Sequence, residues 1–131
     1  MLSFTRGRVI ATAVGTAALL FAAQGTAAAA PVRANTEGGY VQWNADPYDG
    51  IPGDSFRACD TTADGWGIEA RLDVNRNGTT DQQVSTRGHD APYCTGWVYA
   101  DLAEGTPIAL WAVTVRGSEE KPQGGLLWSH A

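Results

Sequence analysis

The stretch that decides the fold of this chain is Gly67-Ile68-Glu69-Ala70-Arg71-Leu72-Asp73-Val74, followed by Asn75-Arg76-Asn77-Gly78. In it, apolar residues alternate with charged ones at every second position. Successive side chains of a β-strand point to opposite faces, so this alternation predicts a strand with one apolar face and one charged face. The Asn-Gly pair at its end is typical of a β-hairpin turn.

The length of the turn sets the register of this hairpin. A two-residue turn would place Val84 of the returning strand on the charged face. A three-residue loop over 77–79 pairs Leu72 with Val84 and Glu69 with Arg87 instead. We expect this second register, because a slip of one residue moves every side chain to the other face.

Short runs of the same kind continue through the chain, separated by Gly, Pro, Asn and Asp. The run over 106–116 is nearly all apolar, which predicts a central strand. Seven strands at this spacing, without an amphipathic helix, predict an all-β fold: an antiparallel β-sandwich of immunoglobulin-like architecture. The two cysteines lie too close in sequence for a true immunoglobulin domain. The predicted strands cover 40–44, 55–59, 67–75, 80–87, 93–101, 106–116 and 126–129.

The first residues are typical of a secretory signal peptide. Arg6 and Arg8 precede an apolar stretch over 9–23, and small residues follow. We expect a helical signal peptide over 1–29, a disordered segment over 30–39 and a single β-sandwich domain over 40–131. With no lipobox cysteine after the signal, the protein is predicted to be secreted, extracellular and free of the membrane after cleavage.

Removal of the signal changes the composition. Seven basic and fourteen acidic residues remain, a formal charge of −7. Such a charge disfavours nucleic-acid binding by phosphate neutralisation, so we expect no nucleic-acid partner. Ile, Leu, Val and Phe supply only 16 residues of the mature chain, whereas all five Trp and four Tyr are retained. The aromatic residues therefore have to fill the core, form a binding surface, or do both.

Cys59 and Cys94 are the only cysteines. Export favours an oxidising compartment, so we expect a structural disulfide rather than a metal pair or a reactive thiol. It would close a loop of about 36 residues and contribute roughly 4 kcal/mol on the chain-entropy estimate. No motif for a cofactor is present, and none is expected.

An aromatic stripe is the predicted binding surface. In the strand over 93–101, Tyr93, Trp97 and Tyr99 are expected to share one face. If exposed, they form a flat platform for sugar rings or for a protein partner. The alternative is that the same rings fill the space between the sheets.

A charged face is the alternative site. In the register above, Glu69 lies opposite Arg87, with Arg71 and His89 beside them. A Glu base, a His acid and arginines for a phosphate would suit a small nuclease-like hydrolase. The simpler interpretation is a cross-strand ion pair on a solvated face.

The hairpin loop also fits part of a calcium-loop pattern. Its oxygen-bearing residues Asp73, Asn75, Asn77 and Asp81 stand at positions 1, 3, 5 and 9, with glycine at position 6. Position 12, which should supply a bidentate carboxylate, is a valine, and no flanking helix is predicted. We therefore favour a polar hairpin loop, with these four residues as the alternative metal-ligand set.

Three short motifs carry a resemblance to known proteins. They are Arg57-Ala58-Cys59-Asp60, Ala63-Asp64-Gly65-Trp66-Gly67 and Thr86-Arg87-Gly88-His89. They resemble small secreted β-rich proteins of streptomycetes and related actinobacteria, of unknown function. The resemblance implies a secreted β-rich domain and no catalytic residues.

Together these features predict a small secreted, monomeric, non-enzymatic protein that binds or inhibits an extracellular protein or carbohydrate. A secreted hydrolase and a structural protein of the cell envelope are the alternatives.

Overall fold

The computed structural model describes residues 27–131, so all but the last three residues of the predicted signal peptide lie outside the part described. These residues form two antiparallel sheets, as predicted. No helix within 27–131 could cross a lipid bilayer. The strands are β1 (Val32–Thr36), β2 (Gly39–Asn44), β3 (Ser55–Asp60), β4 (Gly67–Val74), β5 (Gln82–Ser85), β6 (Tyr93–Cys94), β7 (Val98–Tyr99), β8 (Pro107–Arg116), β9 (Glu119–Glu120) and β10 (Leu126–His130).

The strands of the first sheet follow the order β1, β2, β3, and then both β6 and β7 pair with the far side of β3. In the second sheet the order is β10, β8, β4, β5, and β9 also pairs with β8. The central position of β8 confirms the prediction made from its apolar sequence. All seven predicted strands are present, although the one over 93–101 is divided into β6 and β7.

The core lies between the two inner faces. Ile108, Leu110 and Ala112 of β8 point inward and are buried, whereas Trp111 and Val113 lie on the outer face. Alternation along a strand therefore divides the apolar residues of β8 between two surfaces. The largest buried apolar side chains are Trp43, Phe56, Ile68, Leu72, Ile108 and Leu110. Aromatic residues thus supply part of the core, as the low aliphatic content required.

The segment over 30–39, expected to be disordered, instead contains β1. Ala34 of this strand is buried opposite Val41 of β2. On the other side of β1, the Gly125 N–H donates to the Asn35 carbonyl at 2.7 Å. The prediction was wrong because these main-chain bonds come from partners distant in sequence, which a polar five-residue run does not reveal.

The hairpin of β4 and β5 differs from the prediction by two residues. Leu72 pairs with Gln82, and Val84 pairs with Ala70. The loop is longer than expected because the Asp73 carboxylate accepts the N–H groups of Asn77 and Gly78 at 3.0 and 2.7 Å. A shift of two residues preserves the faces, so Val84 still packs against the core as predicted.

The Cys59–Cys94 disulfide is confirmed, and it joins residues directly opposite each other in β3 and β6. Further along, Phe56 pairs with Val98. Between these two pairs β3 advances by three residues and the other strand by four. This extra residue forms a β-bulge. The side chains after it therefore point to the opposite face from the one that simple alternation predicts.

Candidate functional site

The bulge separates the three residues of the predicted aromatic platform. Trp97 and Tyr99 lie on the outer face of the first sheet, whereas Tyr93 pairs with Asp60 and lies on the opposite side. Tyr93 stacks on His89 with ring centres 3.9 Å apart. The expectation that all three share one face was therefore wrong, because the extra residue between β6 and β7 shifts the alternation.

The two residues that remain together differ in accessibility. Trp97 is half-buried beneath Arg57, whose guanidinium lies 4.6 Å from the ring centre. Tyr99 is 58% exposed, and its hydroxyl donates to Asp101 Oδ1 at 3.2 Å. This hydrogen bond to Asp101 stabilises the protonated phenol and raises the pKa of Tyr99. The negative charge of the Asp101 carboxylate acts in the same direction, because it opposes ionisation of the phenol.

The predicted charged face forms an ion network. Glu69 Oε1 accepts from Arg71 Nε at 2.7 Å, and Glu69 Oε2 pairs with Arg87. Arg71 also pairs with Glu120 of β9. The hydrogen bond to Glu120 is the main cause that raises the pKa of Arg71, and the same bond lowers the pKa of Glu120.

This network limits what Glu69 can do chemically. The residue is 1% exposed and both of its carboxylate oxygens bond to arginine. A general base has to reach the proton that it removes. The structure brings the side chains of Glu69, Arg71 and Arg87 together, although Glu69 lies opposite Ser85 of β5 and not opposite Arg87 as expected. It gives Glu69 no access to a substrate, and His89 stacks on Tyr93 outside the network.

A cleft of about 690 Å³ opens at the end of the sandwich where Arg87 and His89 lie. Trp66 also lines it, but Arg116 and Lys121 cover this ring at 4.2 and 4.6 Å from its centre. The cationic and aromatic groups of the cleft are therefore engaged with other side chains of the protein.

In the predicted calcium loop, the side-chain oxygens accept hydrogen bonds from main-chain N–H groups. Both Asp73 oxygens accept N–H groups of the loop, as described above. Asn77 Oδ1 accepts the Thr79 N–H at 3.0 Å, and Asp81 Oδ2 accepts the Val74 N–H at 2.7 Å. Within 27–131, no three His, Cys, Asp or Glu side chains come together as a metal site. Hydrogen bonds of this kind, from main-chain N–H groups to side-chain oxygens, are typical of a polar hairpin loop.

An apolar groove of about 280 Å³ lies on the outer face of the second sheet. Its floor is Ala109 of β8, which pairs with Trp128 of β10 on one side and with Asp73 of β4 on the other. Trp111 and Leu126, also directly paired, form the neighbouring wall. Trp128 is 62% exposed and Leu126 is 43% exposed, so the groove presents unpartnered apolar surface.

Arg76 fixes the orientation of Trp128. Its Nε donates to the Ile108 carbonyl at 3.1 Å and its Nη2 to the Ser129 carbonyl at 2.7 Å. The guanidinium then lies 4.9 Å from the centre of the Trp128 ring. A cation held over one face of an indole stabilises that ring, and the rest of the exposed side chain remains available for contacts.

The groove was not predicted from the sequence. The alternation of Leu126 and Trp128 with Leu127 and Ser129 was visible, but nothing local showed which side would face solvent. Arg76 reaches Trp128 because the loop after β4 lies against β8 and β10. No pattern in the sequence reveals this contact.

The sequence matches no protein-family model, and neither a curated protein nor a solved structure matches it significantly. The resemblance to secreted actinobacterial proteins therefore stays a prediction.

Proposed function

We propose that this protein is a secreted, non-enzymatic binding module whose groove over Ala109 holds one unit of a neutral saccharide chain. The observation that carries the proposal is the exposed Trp128, fixed by Arg76 beside the Trp111–Leu126 pair. An indole presented rigidly at the surface loses little conformational freedom when a ligand binds.

The size and lining of the groove support a small amphipathic ligand. Its volume of about 280 Å³ lies just below the roughly 300–1,000 Å³ typical of ligand pockets, which suits a single small unit. Two indoles supply flat apolar surface for the C–H face of a sugar ring. Gln123 at the rim offers an exposed amide for the hydroxyl groups.

The charge of the protein supports a neutral ligand. The formal charge of the whole chain is already −5, and the predicted mature chain reaches −7. Polymers with many phosphate or carboxylate groups would be repelled at low ionic strength. Arg76, the cation nearest to the groove, already donates to two main-chain carbonyls.

The proposal is tested by depletion of the mature protein from solution by insoluble neutral polysaccharides, such as cellulose, chitin and β-glucan. We expect binding to at least one of them and at least a tenfold loss of affinity for Trp128→Ala. The matched control is Tyr99→Ala, which removes an exposed ring from the opposite sheet and should bind like the wild type.

Two results would overturn this assignment. Binding lost in Tyr99→Ala but kept in Trp128→Ala would place the site on the first sheet, where the sequence predicted it. If no neutral saccharide binds and a protein binds in a manner that depends on Trp128, the ligand of the groove is a protein and not a saccharide.

We propose a hydrolase as the second candidate function. It is favoured by the cleft of about 690 Å³, which both Arg87 and His89 line. This activity would need a base other than the buried Glu69. Cleavage of RNA by the mature protein, abolished by His89→Ala, would support it. The absence of turnover by the wild type would exclude it.

A further inference from the structure

The outer face of the first sheet carries two arginines and a glutamine in one cross-strand row. Arg33 of β1 pairs with Gln42 of β2, and Gln42 pairs with Arg57 of β3. Their side chains point away from the core, because the residues that alternate with them belong to it. Adjacent strands lie about 4.8 Å apart, so roughly 10 Å separates the backbones at Arg33 and Arg57. These three residues are called the arginine row below.

Two aromatic rings support the cations of the arginine row. The Arg33 guanidinium lies 5.1 Å from the centre of the Tyr40 ring, and the Arg57 guanidinium lies 4.6 Å from that of Trp97. Arg57 Nε also donates to Gln42 Oε1 at 2.7 Å. Because these contacts already hold the cations against the sheet, less side-chain freedom is lost when a ligand binds.

Neither arginine of the row has a carboxylate partner within residues 27–131. The five ion pairs formed there use other basic residues, namely Arg71, Arg87, Arg116 and Lys121. Arg76 donates to main-chain carbonyls. Apart from Arg57 Nε, the side-chain N–H groups of the two arginines of the row are therefore available to a ligand.

The surrounding surface also lacks negative charge. Besides the arginine row, the side chains that point outward from β1, β2 and β3 are uncharged: Asn35, Tyr40, Asn44, Ser55 and Cys59. Asp101 bounds this surface on one side, where it accepts the hydroxyl of Tyr99. In a chain with fourteen acidic and nine basic residues, the arginine row is thus a local excess of positive charge.

The free guanidinium groups favour a ligand with carboxylates. A guanidinium can bind a carboxylate through two N–H groups, and such charged hydrogen bonds are stronger than neutral ones. A long polyanion is disfavoured, because the net charge of −5 repels it at larger distances. A ligand with only two carboxylates, about 10 Å apart, meets both conditions.

A polyproline II segment provides this spacing. It has three residues per turn and rises about 3.1 Å per residue, so residues three apart lie on the same side at about 9.3 Å. Neighbouring same-side residues of a β-strand are only about 6.6 Å apart. The prolines of such a segment would pack on Tyr40 and Trp97, as proline-rich segments do on other aromatic surfaces.

We propose that the arginine row, with Tyr40 and Trp97, binds an extended, proline-containing acidic segment of a partner protein. One carboxylate of the segment pairs with Arg33, and the carboxylate three residues away pairs with Arg57. This surface and the groove over Ala109 lie on different sheets, so the inference does not depend on the proposed saccharide site.

The test uses a fluorescently labelled peptide in which Glu-Pro-Pro-Glu carries the only charges. Fluorescence anisotropy at low ionic strength should show binding to the mature protein, and added salt should weaken it. We expect Arg33→Gln to reduce the affinity about fivefold or more, because charged hydrogen bonds are lost. The matched control Arg116→Gln removes the same charge from the second sheet and should bind like the wild type.

Arg33 is exposed, so Arg33→Gln should fold, and an unchanged urea midpoint checks this. A peptide with Gln in place of Glu should not bind, and equal binding of the two peptides would overturn the proposal. Equal losses in Arg33→Gln and Arg116→Gln would overturn it in favour of a general effect of net charge. Binding of a polyuronate that depends on Arg33, without binding of the peptide, would overturn it in favour of an acidic polysaccharide. Absence of binding to both probes would show that the arginine row is only a solvated surface.

Discussion

The guanidinium of Arg76 lies 4.9 Å from the centre of the Trp128 ring, and two hydrogen bonds to main-chain carbonyls hold it in place. Arg76 thus joins the loop after β4 to the exposed tryptophan of β10, although the two residues are distant in sequence. The groove therefore presents Trp128 in one orientation before any ligand arrives.

This relationship predicts the effect of Arg76→Lys. A lysine keeps the charge but cannot make both fork-like hydrogen bonds while stacking on the indole. We expect saccharide affinity to fall about five- to tenfold through the lost pre-organisation. Isothermal titration measures the change. Arg33→Lys is the control, since Arg33 lies over Tyr40 on the other sheet, and an equal loss there would contradict the prediction.

The buried network around Glu69 predicts a large loss of stability for Glu69→Gln. Arg71 and Arg87 would lose their shared partner, and the new amide would place donors against their cations. Because both arginines are partly exposed, we expect a decrease of about 2–3 kcal/mol in the free energy of unfolding, below the usual value for a fully buried pair. Urea denaturation measures this difference.

The matched control for Glu69 is Glu119→Gln. Glu119 also pairs with an arginine, at 2.9 Å from Arg116, but both side chains are exposed. Exposed pairs contribute about 0–1 kcal/mol, so the urea midpoint should change little. Equal effects of the two substitutions would show that burial of Glu69 adds nothing to stability.

The pair formed by Arg71 and Glu120 predicts a dependence on pH. The hydrogen bond from Arg71 lowers the pKa of Glu120 below its ordinary value of 4.5 in the folded protein. Its contribution to stability is therefore present above pH 4.5 and is lost as the pH falls through the lower folded-state pKa. In a series of urea midpoints between about pH 6 and pH 3, Glu120→Gln should show a smaller decrease than the wild type. Identical pH profiles would refute this coupling.

Close packing at Gly125 predicts that Gly125→Ala destabilises the fold. A Cβ there would lie 2.4 Å from the Asn35 carbonyl oxygen, so β1 would have to move. The hydrogen bond from the Gly125 N–H to this carbonyl would then be strained. We expect a decrease in stability of about 2 kcal/mol or more, as for other steric changes at packed sites. Gly96→Ala, where a Cβ meets nothing within 4 Å, should be nearly neutral. Thermal unfolding of both variants provides the comparison.

Much of the architecture was predictable because its determinants are local. Alternation over Ile68 to Val74 identified β4 and its inner face, and the apolar run of β8 identified the central strand. The exact hairpin register was not predictable, since the Asp73 carboxylate lengthens the loop through bonds to main-chain N–H groups. Propensity rules describe the turn residues but not this competition.

The candidate site was less predictable than the fold. Cys59 and Cys94 were correctly paired, because they are the only two cysteines in the sequence and an oxidising compartment was expected. Trp97 and Tyr99 were placed on one face, but the bulge moved Tyr93 to the other. A bulge is a property of two paired strands, so one strand read alone does not show it.

The sequence by itself determined the all-β class, the disulfide and the requirement for aromatic residues in an aliphatic-poor core. Only the tertiary structure decided which aromatic rings that core would take. It buried Trp43 and left Trp128 at the surface, although both lie in strands with similar alternation. The physical reason is that burial depends on which face the opposing sheet covers, and this is set by contacts between residues far apart in the chain.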